Sequence, residues 1–127
     1  MGQITELRDW AYKSACEHGW HEKPAVDKVE HMLAEIALIQ SEAGEATEAI
    51  RTDHRAPKLF SNAVNIANED DGAFASKIKD TLEDELADVC IRVFDFCGEH
   101  GIDIEDHIIA KMVYNMNRPY RHGGKLA

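Results

Sequence analysis

The chain has 127 residues, 44% of them hydrophobic and 30% charged, which suits one domain with one core and excludes a wholly disordered polymer. Its formal net charge of −10, from 24 acidic and 14 basic residues, sets it against nucleic-acid polymers and anionic membranes. No apolar run approaches the roughly 18 residues of a membrane span, and Glu6, Arg8 and Asp9 speak against a signal peptide, so a cytosolic location is expected.

In chain order, a first helix is predicted from about Ile4 to His18, with Leu7, Trp10, Ala11, Ser14 and Ala15 as a narrow apolar stripe and Gly19 as its stop. A second and longer helix is predicted from about Val26 to Arg51. Its core stripe reads Val29, Met32, Leu33, Ile36, Gln40, Ala43, Thr47 and Ile50, and a second, narrower stripe reads Leu38, Glu42, Glu45 and Ala49. Glu35 and Glu48 are assigned to its wet face. Thr52 to Phe74 is an excursion, with a short helix expected between Lys58 and Ala67 and a turn at Asn68 to Gly72. A third long helix is predicted from about Ser76 to Glu99, with Ile78, Leu82, Leu86, Val89, Val93 and Phe96 facing the core. Asp103 caps a fourth, running to about Asn117, whose apolar side is Ile104, Ile108, Ile109, Met112, Val113 and Met116. No segment alternates with the period of a strand. The expected fold is all-α: an antiparallel bundle of four main helices with an inserted loop or short helix between the second and third. Cys16, Cys90 and Cys97 form no C-x-x-C pair and are expected to be reduced and mostly buried.

Two acidic spacings carry the chemistry. The second helix holds Glu42-x-x-Glu45 and the third holds Glu85-x-x-Asp88. Residues three apart are neighbours on a helix surface, so each pair aims two carboxylates at one spot. If the two helices pack side by side, four carboxylates converge, and their repulsion calls for a divalent cation; all-oxygen ligation suits Mg²⁺ or Mn²⁺. Gly44 inside the motif costs about 1 kcal/mol relative to Ala, which implies close approach of another group. On the third helix, Glu85, Asp88, Arg92 and Asp95 form a fully charged stripe that reads as a solvent face unless it meets the second helix.

The fourth helix and the tail after it form a basic island. Lys111, Asn115, Arg118 and His122 recur at helical steps, and Lys and Arg are natural phosphate partners. Carboxylates for metal beside cations for phosphate is the combination a nucleotide-handling site needs. Trp20, between His18 and His21, is a candidate for stacking on a base.

Glu42-Ala-Gly-Glu45, Glu85-Leu-Ala-Asp88 and Lys111-Met-Val-Tyr-Asn115, followed by Arg-Pro-Tyr-Arg-His-Gly-Gly-Lys, together resemble the MazG-like all-α nucleoside triphosphate pyrophosphohydrolases. The resemblance covers roughly half of the chain. It implies hydrolysis of a nucleoside triphosphate, a deoxy form above all, to monophosphate and pyrophosphate. It implies Mg²⁺ held by Glu42, Glu45, Glu85 and Asp88, with attack of water on the α-phosphate and Glu45 or Glu42 in the catalytic role. Lys111 and Asn115 match a nucleotide-contacting motif, and Arg118 and Trp20 complete the expected substrate-binding set. The gap between Glu45 and Glu85 is longer than in compact members of that family, which leaves any loop contact to the base open.

Three rivals stand beside this reading. A di-iron bundle enzyme would need Glu-x-x-His, and none of the seven histidines has Glu three residues before it. A non-catalytic helical interaction module, or a hydrolase of the same family acting on a different nucleotide-like substrate, fits the same helices. Spare apolar residues such as Leu38, Ile91 and Phe94 lead us to expect a homodimer or a dimer of dimers, with the site near a subunit boundary.

Overall fold

A computed structural model describes residues 2–22, 27–57, 62–68 and 72–119. They form six helices: α1 (Gln3–Glu17), α2 (Lys28–Arg51), α3 (Ala63–Asn68), α4 (Ala73–Lys77), α5 (Leu82–Glu99) and α6 (Ile104–Met116). No strand occurs among the described residues, so the all-α class holds. None of these helices is long and apolar enough to cross a membrane. The expected second-helix start at Val26, the Lys58 to Ser61 part of the expected short helix, the centre of the turn at 69–71, and His122 in the tail lie outside the described residues.

The helix ends follow local chemistry. Asp27 accepts a hydrogen bond from the Glu30 N–H at 3.0 Å and starts α2. The helix expected to run unbroken from Ser76 to Glu99 is instead two, α4 and α5. Asp80 takes a left-handed conformation at φ 66°, and Thr81 Oγ1 caps α5 by accepting from the Asp84 N–H. The Asp84 carboxylate in turn accepts from the Asp80 N–H at 2.9 Å. This reciprocal pair is a close variant of the capping box, and Thr81-x-x-Asp84 is its trace in the sequence.

Helix α5 packs against both α1 and α2. Cross-helix bonds fix the direction of α2 against α5: Glu35 meets His100, Glu42 meets Arg92, and the His54 carbonyl accepts from the Leu82 N–H. Sequence number rises on one partner as it falls on the other, so the two helices run in opposite directions. On the other side, α1 comes so near α5 at Gly98 that a Cβ there would lie 2.5 Å from the Tyr12 Cβ; glycine permits the contact. Helix α6 leans on α1. Its Glu105 accepts from the N–H groups of Gly2, Ile4 and Thr5 at 3.0–3.2 Å, capping α1 from a hundred residues away.

Burial raises the Glu105 pKa, but those backbone bonds outweigh it and hold the carboxyl below its usual range. A depressed acid contributes stability that is complete above its unfolded pKa and is lost as pH falls through the folded one. Glu105→Ala is therefore expected to lower the melting temperature at neutral pH, with the gap to the parent chain closing as the pH drops below the carboxylate range. Thermal melts at stepped pH check this.

The faces of the helices depart from the expected pattern. Val29, Leu33, Ile36 and Ile50, expected in the core, are exposed, Leu33 at 64%. The inward seam of α2 instead reads His31, Met32, Glu35, Ile39, Glu42, Ala46 and Ala49. Glu35, assigned to the wet face, is therefore inside. Ile78 is buried and Leu82, Val89, Val93 and Phe96 are half-buried as expected, but Leu86 is 50% exposed while its neighbour Glu85 is 6% exposed. Ile108, Ile109, Met112, Val113 and Met116 of α6 are also exposed, as are Leu7 and Trp10 of α1. Gly44 has nothing within 4 Å of where a Cβ would stand, so no group among the described residues approaches it. Of the cysteines only Cys97 is buried; Cys16 and Cys90 are exposed, and all three are unpaired. The physical reason is common to these differences. Among the described residues just Ala46, Ala49, Ile66, Ile78 and Cys97 are buried apolar side chains, and polar groups fill much of the α2–α5 seam.

Candidate functional site

The seam between α2 and α5 positions the acidic motifs. Glu42 lies on the inward side of α2, and the first turns of α5 carry Glu85 and Asp88 towards it. One ligating oxygen from each of Glu42, Glu85 and Asp88 lies within 4.8 Å of the others. Glu45, one turn further along α2, is exposed and stands on the wall of the same cavity. That cavity measures about 500 Å³ and is also lined by Glu48, Asp80 and His54. Three of the four expected carboxylates thus come together tightly, and the fourth borders them.

The electrostatics match the geometry. Burial raises the Glu85 pKa, and the charges of Asp88, Asp80, Glu42 and Glu45 push it further in the same direction. Asp88 is also raised, by burial first and then by Asp84 and Glu42, with Arg92 opposing. Among the described residues no Lys or Arg forms an ion pair with Glu45, Glu85 or Asp88. Glu42 alone has a cation, its Oε1 accepting from Arg92 Nε at 2.8 Å.

A second cavity of about 420 Å³ adjoins the first and shares Glu42 and Asp88 with it. It runs between α1 and α5 to Trp20, whose side chain is 64% exposed at the rim. The Arg92 guanidinium lies 5.4 Å from the centre of the Trp20 ring. Arg92 therefore bridges the carboxylate nest and the aromatic rim. A cleft of this size, with one acidic end and one aromatic end, can take a small ligand that is part anionic through a cation and part planar.

The remaining expected residues are elsewhere. Lys111, Asn115 and Arg118 sit on and just beyond α6 and line neither cavity of their own chain. They gather around Tyr114 instead. The Lys111 ammonium is 4.9 Å and the Arg118 guanidinium 5.7 Å from its ring centre, and Arg118 Nη1 lies 3.4 Å from the Asn115 Oδ1 that accepts from it. Sequence reasoning assigned no role to His54, Asp80 or Arg92. Arg92 was within reach: it lies seven residues, or two turns, after Glu85 and so shares its face. His54 and Asp80 reach the cavity through turns whose course has no periodic signal.

No protein-family model, curated protein or solved structure matches the chain.

Proposed function

We propose that the chain is a divalent-cation-dependent nucleoside triphosphate pyrophosphohydrolase, the activity that its resemblance to the MazG-like family implies. The observation that carries this reading is the inward turn of Glu42, Glu85 and Asp88 from two helices onto one point, with Arg92 the only partner cation among the described residues. Burying uncompensated carboxylates costs several kcal/mol per ion, about as much as a small domain's whole stability margin, so a positively charged ligand is the natural occupant. An all-oxygen set favours Mg²⁺, with Mn²⁺ as a substitute. Octahedral Mg²⁺ with bonds of about 2.1 Å spaces its ligands by about 3.0 to 4.2 Å, a range within the reach of this trio. When bound, the cation supplies charge neutralisation for the triphosphate and a more acidic water.

The protein's own groups do the rest. Glu42, Glu85 and Asp88 hold the cation, and Glu45 takes the proton from the attacking water. The oxygen–phosphorus bond forms at the α-phosphorus as the bridge to the β-phosphate breaks, and pyrophosphate leaves with the electron pair. Arg92 adds positive charge between the two cavities, and Trp20 stacks on the base. A second copy of the chain supplies Lys111, Asn115 and Arg118, and its α6 completes the antiparallel packing of four main helices around the site. The exposed apolar side chains Val29, Leu33 and Ile36 of α2 and Ile109, Met112 and Met116 of α6 support this assembly.

The test is a panel of common ribo- and deoxyribonucleoside triphosphates with Mg²⁺, scored for pyrophosphate against orthophosphate. Pyrophosphate with monophosphate is expected; orthophosphate alone, or no turnover of any member, overturns the reading. Trp20→Ala is expected to raise KM by about 5- to 150-fold, the range that corresponds to losing one base–aromatic stack of about 1–3 kcal/mol. Because Trp20 is mostly exposed, its melting temperature should hardly move. Steady-state kinetics beside a thermal melt separate the two effects.

A further inference from the structure

A second cluster lies at the other end of the same seam, and nothing in the reading above uses it. His31 and Glu35 come from the first turns of α2, Glu99 from the last turn of α5, and His21 from the turn after α1. We propose that His21, His31, Glu35 and Glu99 form a separate metal site for a first-row transition cation, Zn²⁺ above all. One ligating atom from each lies within 4.8 Å of the other three. The nearest approaches are 3.1 Å between His21 Nδ1 and Glu99 Oε1, 3.0 Å between His31 Nε2 and Glu99 Oε1, and 3.1 Å between His31 Nε2 and Glu35 Oε1. Tetrahedral zinc with bonds of about 2.0–2.1 Å spaces its ligands by about 3.4 Å, so these edges need to open by only a few tenths of an ångström.

Three further observations point to an ion rather than to a self-contained hydrogen-bonded network. First, the buried atoms His21 Nδ1 and Glu99 Oε2 make no well-aligned hydrogen bond, although His21 Nδ1 lies 3.1 Å from Glu99 Oε1 and Glu99 Oε2 lies 3.2 Å from His100 Nε2. Buried polar atoms are nearly always satisfied, and these two sit at the cluster itself. Second, the far nitrogen of His21, Nε2, lies 2.8 Å from Asp95 Oδ1. A carboxylate on the far nitrogen of an imidazole fixes its tautomer and turns the near nitrogen towards a metal. The third is access: a cavity of about 140 Å³, lined in part by His21, His31 and Glu35, opens onto the cluster. His100 Nε2, 2.8 Å from Glu35 Oε1, holds that carboxylate in position.

The donor chemistry separates the two sites. Two imidazoles with two carboxylates suit Zn²⁺, Co²⁺ or Fe²⁺, whereas the carboxylate nest offers oxygen alone. The role follows from the connections made. An ion here ties the end of α1, the start of α2 and the end of α5 together in a chain with few buried apolar side chains, and it fixes the turn that carries Trp20.

The proposal does not rest on the pyrophosphohydrolase reading, because its readout is metal binding and not turnover. The full chain, stripped with a chelator and dialysed, is titrated with Co²⁺. With millimolar Mg²⁺ present to occupy the carboxylate nest, one four-coordinate Co²⁺ per chain is expected, with intense visible bands that Zn²⁺ displaces. His31→Ala should abolish these bands, Asp95→Asn should weaken binding about 10- to 100-fold, and Glu85→Gln should leave it unchanged. X-ray absorption of the Co²⁺-loaded parent chain reads the donors directly and does not depend on any variant folding. Imidazole scattering supports the site; an oxygen-only shell, no bound Co²⁺, or full binding in a folded His31→Ala protein overturns it.

Discussion

Glu85→Gln is expected to abolish pyrophosphate release and, in the same protein, to raise the melting temperature measured without divalent cations. Both effects come from one side chain. Glu85 is buried to 6% exposure beside Asp88, with Glu42 and Glu45 across the seam. The amide keeps the shape of the carboxylate and loses the charge, so it removes repulsion from the metal-free fold while removing a ligand from the cation. Supporting residues around metal sites are already worth about 10- to 100-fold, so loss of a direct ligand should exceed about 100-fold in kcat/KM. Circular dichroism should show unchanged helicity. Full activity in this variant would mean that the carboxylate nest is not the site of chemistry.

The same groups set a pH dependence with a defined sign. Burial and neighbouring anions raise the pKa of Glu85 and of Asp88 above their ordinary values. A raised acid binds its proton more tightly in the folded chain, so its contribution is complete below the unfolded pKa and is lost as pH rises through the folded one. The destabilisation therefore grows from the ordinary carboxylate range upward. A cation that holds both groups ionised reverses it, so the stabilisation by Mg²⁺ should be larger at pH 8 than at pH 5.

Helices were legible in this sequence; the direction in which they face was not. Caps and the helical period locate α1, α2, α6 and the end of α5 to within a few residues because those signals are local, whereas the break before Leu82 was not read. Facing depends on which of two stripes finds a partner. In α2 the more apolar stripe, through Leu33 and Ile36, is turned outward, and the mixed stripe, through Glu35, Glu42 and Ala46, is turned inward. A binary pattern assigns the apolar stripe to the core, and a seam built from polar side chains inverts that rule. The i, i+3 acids were legible because a helix brings such residues together by itself. Arg92 against Glu42 and His21 against Glu99 were not, since each contact depends on the register of two helices far apart in sequence.

Leu33→Asp is expected to split a dimer that forms through the outward stripe of α2. Val29, Leu33, Ile36 and Ile50 lie along one side of that helix, all exposed in the single chain. With Ala43 and Gly44 between them, the stripe has small residues at its middle, where another helix can come close. A repeat of the same stripe on a two-fold-related copy makes a self-complementary interface. On a free surface the substitution would change stability by no more than about 0.5 kcal/mol. In an interface it sets a charge among apolar side chains and removes an anchor. A loss of about 2 kcal/mol at such an anchor raises the dissociation constant about 30-fold. Sedimentation at micromolar concentration reads the difference directly: the parent chain as a dimer or larger, the variant as a monomer with its helices intact. If Lys111 of one copy serves the carboxylates of the other, the variant should also lose turnover, although Leu33 lines neither cavity. Mixing Lys111→Ala chains with Glu85→Gln chains should then restore activity through the one intact site of each hybrid dimer. A parent chain that sediments as a monomer, or a mixture as inactive as its components, would leave each chain to complete its own site, and α6 contributes nothing to that site from within the chain.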